Sequence, residues 1–258
     1  MQFAGISDTG RVRENNEDSY CLEALHVGPG VPSQVLLAVA DGLGGYSGGE
    51  VASGLAIRTL RTHLVGTDTG GSTACGIGAA TWAERLKEGI TMAHAAILRQ
   101  ATLSGKLRGM GTTLTAAVVD GADFHWGHVG DSRAYLVRPK EVLLVTHDHS
   151  VAAGLVAAGR LGREAARRHP DRHVLTQALG VVDDLNVDTG TARLEEGEWL
   201  VLTTDGVTTV VGDDEIAVAA RTSASVGAFC QGLVELANGR GGPDNITVVV
   251  ARRSLPQA

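Results

Sequence analysis

Short apolar runs recur along the chain and predict β-strands. Each run is rich in valine, isoleucine, leucine or threonine, a composition typical of strands. The runs are Val35–Ala40, Leu114–Val119, Val142–Val145, Trp199–Leu202 and Ile246–Ala251. The stretch Phe124–Val129 instead alternates apolar and polar positions, which predicts a strand with one face toward solvent.

Two successive segments carry apolar residues at the spacing of an α-helix. The first is Glu50–Leu64, with Val51, Leu55, Leu60 and Leu64 near one face. The second is Ile77–Leu103, with Trp82, Leu86, Ile90, Ala93 and Ile97 at intervals of three and four residues. Both lie between strands and do not alternate with them one for one. The pattern therefore predicts an α+β fold of mainly antiparallel sheet with packed helices.

One polar segment, Asp148–Gly180, has little strand character and is rich in arginine. Its basic residues are Arg160, Arg163, Arg167, Arg168 and Arg172, together with His169 and His173. We expect a surface excursion of helices and loop that lies outside the sheet. Two interpretations stay open, a solvated face or a segment that contacts the substrate.

The composition indicates a globular protein and argues against a general nucleic-acid binder. A chain of 258 residues, 43% of them hydrophobic, is long enough for one large domain or two small ones with a real core. The formal net charge of −7 argues against binding to nucleic acid, which normally requires a basic patch. No run of apolar residues approaches the roughly 18 that a membrane helix needs, so no membrane segment is expected.

The three cysteines, Cys21, Cys75 and Cys230, are odd in number and widely spaced. They indicate neither a disulfide framework nor a thiolate zinc site, and they favour a reducing compartment. The segment Met1–Gly5 has no basic region followed by an apolar run, so a signal peptide is not expected. A cytoplasmic location follows as the expectation.

Four aspartates stand beside glycines or sharp turns at the ends of the apolar runs. They are Asp41, Asp131, Asp205 and Asp244. A fifth acidic stretch, Glu17-Asp18, lies near the N-terminus. Carboxylates that converge repel one another unless a cation lies between them. Oxygen ligands without histidine or cysteine favour Mg²⁺ or Mn²⁺. A single Asp-Gly pair is usually only a turn, and the spacing alone does not establish that these residues converge.

The same short stretches, read in order, resemble a known family. Ser7–Asp18 is similar to the opening motif of the metal-dependent protein phosphatases of type 2C, the PPM family, in its bacterial form. Further motifs match at Val39–Gly45, Gly111–Leu114, Gly130–Arg133, Thr204–Gly206 and Gly241–Thr247. Because the order is that of the family and extends over nearly the whole chain, the resemblance is far more specific than any one motif.

The resemblance implies a four-layer α-β-β-α sandwich, in which two antiparallel sheets are flanked by helix pairs. It also implies a single domain over residues 1–258, with a flap subdomain at about 148–180.

The resemblance assigns metal-ligand roles to individual residues. Asp41 matches the ligand that bridges two metal ions, and Asp205 and Asp244 match ligands of the first ion. Asp18 and the carbonyl of Gly42 match ligands of the second, directly or through water, while the neighbouring Glu17 is a weaker match. Asp131, together with Asp205, is similar to the third-metal site of bacterial members. The expected cofactors are therefore two Mn²⁺ or Mg²⁺ ions, with a third site at Asp131.

The implied activity is hydrolysis of phosphoserine and phosphothreonine in proteins. A metal-activated hydroxide would attack phosphorus without a phosphoenzyme, and Arg13 matches the residue that binds the phosphate as a bidentate fork. The implied partners are bacterial serine/threonine kinases and their substrates, and a monomer is expected. A catalytically silent phosphoprotein-binding module on the same fold stays an alternative, although the retention of every matched aspartate and of Arg13 disfavours it. A phosphatase of anti-sigma-factor antagonists is a third interpretation.

The proton donor departs from the family pattern. Leu43 stands where many eukaryotic members have a histidine, and Tyr46 stands where bacterial members often have one. Leucine cannot transfer a proton, so the general acid stays open between a metal-bound water, Tyr46 and a flap histidine.

Other chemistries find little support in the chain. His147 and His149 could form a metal-binding pair, but no third ligand is visible and we expect a structural or surface role. His125 and His128 are predicted on opposite faces of one strand. No Cys-x₅-Arg motif and no phosphate-loop motif occurs, which disfavours a cysteinyl-phosphate mechanism and nucleotide hydrolysis.

Overall fold

Two five-stranded antiparallel sheets form the centre of the molecule. The structure is a computed structural model and describes residues 1–27, 32–44, 48–66 and 81–254. The first sheet has the order β1-β12-β11-β8-β9 and the second has the order β10-β7-β6-β3-β2. In the first sheet, β1 is Gln2–Asp8, β12 is Ile246–Arg252, β11 is Trp199–Thr203, β8 is Arg133–Val137 and β9 is Val142–Leu144. In the second sheet, β10 is Asp188–Arg193, β7 is Asp123–Val129, β6 is Leu114–Asp120, β3 is Pro32–Ala40 and β2 is Ser19–Val27.

A short two-stranded ribbon and seven described helices complete the fold. The ribbon pairs β4, Gly42–Leu43, with β5, Gly111–Thr112. The helices are α1 Gly48–Gly66, α2 Trp82–Leu103, α3 Val151–Ala157, α4 Arg163–Ala166, α5 Asp205–Thr208, α6 Asp213–Thr222 and α7 Val226–Gly239, with a 3₁₀ turn at Gly105–Leu107. Within the described part of the chain, none of the helices has both the length and the apolar content needed to cross a membrane.

The pleat of the central strands explains their continuous apolar sequences. In β3, Leu36 and Ala38 face α1 and α2, whereas Val35 and Leu37 face the other sheet. Successive side chains of a strand point to opposite sides, so a strand covered on both faces must be apolar at every position. Strand β12 does the same between the first sheet's helices, α6 and α7, and the second sheet. Three apolar layers thus separate four layers of secondary structure, and the predicted α-β-β-α sandwich is confirmed.

Most predicted elements are present, with shifted ends. Of the helix predicted over Ile77–Leu103, residues 77–80 lie outside the described part of the chain, and the described helix begins at Trp82, capped by Thr81. The Thr81 hydroxyl accepts a hydrogen bond from the Glu84 backbone N at 3.2 Å, and the Glu84 carboxylate accepts from the Thr81 backbone N at 2.7 Å. Such a reciprocal box satisfies two backbone donors that a helix start leaves unpaired.

The polar excursion lies outside both sheets, as predicted, and contains α3 and α4. Two backbone hydrogen bonds join its ends, from Thr176 N to His149 O at 2.8 Å and from Val151 N to Val174 O at 2.9 Å. We call residues 148–180 the flap. The description of residues 1–258 as one domain with the flap as a subdomain stays a prediction.

Candidate metal centre

Asp41 follows the last residue of β3, and its backbone is held by two threonines. Its N–H donates to the Thr113 hydroxyl at 2.9 Å. Its carbonyl accepts from the Thr112 hydroxyl at 2.8 Å and from the Thr113 backbone N at 2.9 Å. The Gly-Thr-Thr motif therefore fixes the place at which the Asp41 carboxylate leaves the central sheet.

Gly42 lies where two other backbone segments approach closely. A Cβ atom at this position would lie 2.4 Å from the backbone of Gly49 and 2.5 Å from the carbonyl oxygen of Glu17. Those distances are impossible for a side chain, so this position requires glycine. The close approach brings the segment before β2 and the first turn of α1 against the Asp41-Gly42 turn.

Asp205 and Asp244 come from two turns that pack directly against each other. Asp205 is the first residue of α5, two residues after β11 ends, and Asp244 lies two residues before β12 begins. A Cβ atom at Gly206 would lie 1.8 Å from the carbonyl oxygen of Asn245. The glycine after Asp205 is therefore what allows the two aspartates to approach.

Asn245 ties the first and last motifs together. Its amide nitrogen donates to the carbonyls of Thr9 and Asn15, both at 2.9 Å. Its amide oxygen accepts from the backbone N of Glu17 at 2.8 Å. The sequence motif contains Asn245, but the spacing gives no sign of this role because its partners lie more than 200 residues away.

Asp18 is a buried carboxylate, only 8% exposed. Its Oδ2 accepts from the hydroxyls of Thr204 at 2.8 Å and Thr247 at 2.7 Å. Its Oδ1 is buried and has no hydrogen-bond partner among the described residues. Burial, together with the charges of Asp205 and Asp244, raises the pKa of Asp18 to about 7. An unpaired buried carboxylate oxygen suits a hard divalent cation.

The five predicted aspartates meet around Asp41. Burial raises the pKa of Asp41 well above its ordinary value, and the charges of Asp18, Asp205, Asp131 and Asp244 raise it further. Like charges gathered in a poorly solvated place disfavour ionisation unless a cation compensates them. The structure thus brings together the residues that the sequence could only nominate, and their chemistry fits divalent metal ions.

Asp131 forms a second group with Asp205 and a flap histidine. One ligand atom each from Asp131, His173 and Asp205 lie within 4.8 Å of one another, and His173 Nδ1 is 3.5 Å from Asp205 Oδ2. Burial and the charges of Asp205 and Asp148 raise the pKa of Asp131. His173 was seen in the sequence only as one of several flap histidines, because nothing in its spacing relates it to Asp131.

Arg13 lies at the edge of the cluster. Its guanidinium donates to Asp244 Oδ2 at 2.7 Å and its side chain is 52% exposed. Glu17, the weaker match, is held through its backbone by Asn245, and burial raises the pKa of its carboxyl group. Leu43 lies in β4, paired with Gly111. Tyr46 lies outside the described residues.

The other histidines do not form a metal site with one another in the described part of the chain. His128 is fully buried, whereas His125 is partly exposed and bonds to Thr191 at 2.9 Å, so the predicted opposite faces are confirmed. His147 is exposed, and His149 turns inward to contact Gly130 and Asp188. A structural role for His149 agrees with the prediction.

Two stacked antiparallel sheets between helix pairs, with a carboxylate cluster at the strand ends, define the metal-dependent phosphatase class. The sequence profile of the family described as protein phosphatase 2C matches residues 14–236. The chain therefore belongs to the protein phosphatase 2C family.

Similar proteins come from several bacteria. The chain is 37% identical over 251 residues to the serine/threonine protein phosphatase PstP of Mycobacterium tuberculosis, a match that covers 97% of this chain and 45% of that protein. The chain thus spans less than half the length of this relative. It is 35% identical over 251 residues to the serine/threonine phosphatase stp of Listeria welshimeri, covering 97% of this chain and 95% of that protein. A crystal structure of the PstP catalytic domain in complex with two manganese ions has a TM-score of 0.79 and 34% identity, and the match covers 96% of each chain.

Proposed function

We propose that this chain hydrolyses phosphoserine and phosphothreonine in proteins at a metal centre built on Asp41. The observation that carries the proposal is the convergence of five aspartates, with one buried oxygen of Asp18 left unpaired. Such a cluster is stable in its charged form only with cations. Asp41 would bridge two ions, Asp205 and Asp244 would hold the first, and Asp18 with the Gly42 carbonyl would hold the second.

The protein's own groups then bind the substrate and control protons. When bound, a pair of divalent ions lowers the pKa of a water molecule and neutralises charge on the phosphate. Arg13, half exposed beside Asp244, is placed to bind phosphate oxygens through its planar fork. Two flap histidines were candidate proton donors. His173 lies nearest the aspartates, but its ring would be taken up by the third metal site proposed below. His169 Nδ1 accepts from the backbone N of Asp171 at 3.2 Å.

The third site is proposed at Asp131, Asp205 and His173. The nitrogen ligand argues against Mg²⁺ at this site, because Mg²⁺ is bound through oxygen ligands. The two manganese ions bound to the related PstP catalytic domain support Mn²⁺ as the metal of the paired site. We therefore propose Mn²⁺ at all three positions, with Mg²⁺ able to replace it at the oxygen-only pair.

The flap is proposed to help select protein substrates. Four arginines, Arg160, Arg163, Arg167 and Arg168, are exposed on it, and we call them the flap arginines. Arg167 lies 3.5 Å from Asp213 and Arg168 lies 3.5 Å from Glu164, pairs that are weak at an exposed surface. Their charge suits acidic phosphoproteins, and we propose serine/threonine kinases and their substrates as partners of a monomeric, cytoplasmic enzyme.

A simple assay tests the proposal. Hydrolysis of p-nitrophenyl phosphate is measured with Mn²⁺, with and without chelator, for the wild type, for Asp41→Asn and for the exposed control Asp184→Asn. We expect chelator-sensitive activity in the wild type and in the control, and its loss in Asp41→Asn. A wild type without chelator-sensitive activity that still binds a phosphopeptide would support the silent binding module instead.

A further inference from the structure

His149 contacts both backbone groups of the residue that precedes Asp131. The His149 backbone N donates to the Gly130 carbonyl at 2.7 Å. The Gly130 backbone N donates in return to His149 Nδ1 at 3.3 Å. Gly130 is buried and has a φ of +112°, so water cannot easily replace these partners. His149 therefore holds both backbone groups of the residue that precedes Asp131, while Thr113 and Thr115 hold Ser132 on its other side.

The partners of the imidazole determine which ring nitrogen carries the proton. A backbone N–H can only donate, so Nδ1 must be the acceptor and Nε2 must hold the hydrogen. Nε2 lies 3.1 Å from Asp188 Oδ2 and donates to it. The other oxygen of Asp188 accepts from the side chain of Asn186 at 3.2 Å. The His149 ring is thus held at both of its nitrogens. Outer partners of this kind often orient the residues that ligate a metal ion.

His149 also takes part in the backbone pairing that joins the two ends of the flap. The His149 carbonyl accepts from the Thr176 backbone N at 2.8 Å, and the next pair of the ladder joins Ser150 to Leu175. His173 lies three residues before Thr176, in the turn that precedes the returning segment of the flap. His149 therefore contacts the Asp131 turn through its backbone N and its ring. It contacts the segment that carries His173 through its carbonyl.

The buried His128 packs against this junction. The His128 ring packs against the His149 ring with centroids 4.9 Å apart. His128 Nε2 lies 3.1 Å from the carbonyl of His147, and Nδ1 lies 2.8 Å from the hydroxyl of Thr115. Because His128 is fully buried, the segment 147–149 has little freedom to shift relative to β7.

We propose that His149 is a positioning residue that sets Asp131 against His173 and thereby sets the affinity of the third site for a divalent cation. This inference rests on the proposed ligand role of Asp131. Removal of outer partners of metal ligands typically lowers metal affinity by about 10- to 100-fold. Because the third site depends on the exposed His173, we expect it to be the weakest class of bound Mn²⁺. A residue that served only the general stability of the fold would not change that class selectively.

Mn²⁺ titration of the full chain, followed by the electron paramagnetic resonance signal of the free ion, tests the inference. His149→Asn places an amide oxygen near the position of Nδ1 and keeps an acceptor for Gly130. His149→Gln reaches toward Asp188 but leaves the Gly130 N–H unpaired. We expect the Gln variant to weaken the lowest-affinity class by about 10- to 100-fold and the Asn variant to stay within about threefold of the wild type.

Two further variants show whether the effect is specific to the Asp131 turn. His125 lies in β7, the strand of His128, and its ring bonds to Thr191 and not to the turn. His125→Ala therefore removes an imidazole hydrogen bond away from the turn, and we expect wild-type Mn²⁺ binding. Asp131→Ala should abolish the weakest class, and adding His149→Gln to it should change Mn²⁺ binding no further, since coupled residues are not additive.

The outcomes separate the inference from the proposal on which it rests. If Asp131→Ala abolishes the weak class while His149→Gln leaves it intact, the role of His149 is wrong and the third site stands. If the Asn and Gln variants weaken it equally, the Gly130 contact is not what matters and the inference fails. If Asp131→Ala has no effect, the third site itself is overturned, and the inference with it.

Discussion

Without bound cations, Asp18 should make the folded protein less stable as the pH rises. Its carboxyl group has a pKa of about 7 in the folded protein, against an ordinary value of 3.8, which we take for the unfolded chain. The folded state therefore holds the proton more tightly than the unfolded state does. The stabilisation is fully present below about pH 4 and is lost as the pH rises through 7.

The size of the effect follows from the two pKa values. Their difference corresponds to about 4 kcal/mol of unfolding free energy. A domain of this kind is stable by roughly 5–15 kcal/mol in all, so the loss should be easy to measure. The physical cause is burial first, since the two threonine hydroxyls that bond to Oδ2 offset only part of the cost of a buried charge.

Urea unfolding in the presence of chelator, at several pH values between 4.5 and 8, measures this loss. The matched variant is Asp18→Asn, which cannot ionise but keeps an oxygen acceptor for Thr204 and Thr247. We expect the wild type to lose about 3 kcal/mol relative to the variant over this range, because part of the total is already lost at pH 4.5, and added Mn²⁺ to remove the difference in slope. A stability difference that is flat, or that rises with pH, would refute the reasoning.

Three further predictions concern the link between motifs, the phosphate ligand and the flap. Asn245→Ala removes three hydrogen bonds, and at about 1 kcal/mol each should lower the unfolding free energy by about 3 kcal/mol; a change near zero would contradict the proposed link. Arg13→Lys keeps the charge but loses the planar fork, so KM for a phosphopeptide should rise by about tenfold while Tm changes little, and an unchanged KM would count against phosphate binding. Replacing the four flap arginines by alanine should raise KM more for an acidic phosphopeptide than for p-nitrophenyl phosphate, and equal effects on both substrates would show that the flap does not select proteins.

The fold was predictable where the sequence pattern was strong. Strands such as β3 and β12, covered on both faces, appear as unbroken apolar runs, and α2 shows clear helical spacing. The edge strand β10, with the sequence Asp-Thr-Gly-Thr-Ala-Arg, carries no such signal, because its pairing with β7 supplies the order that its side chains do not. The strands β1, β2 and β8 and the pair α6 and α7 were likewise not predicted.

The sequence by itself determined which residues stand at the strand ends, in which order, and that their motifs match one family. Only the tertiary structure decided how they meet. It showed the unpaired oxygen of Asp18, the bonds of Asn245 to the first motif, and the approach of His173 to Asp131. The physical reason is that antiparallel pairing joins segments as distant as β1 and β12. Contacts across more than 200 residues depend on sheet order and on close approaches such as that at Gly206, and local spacing carries no record of either.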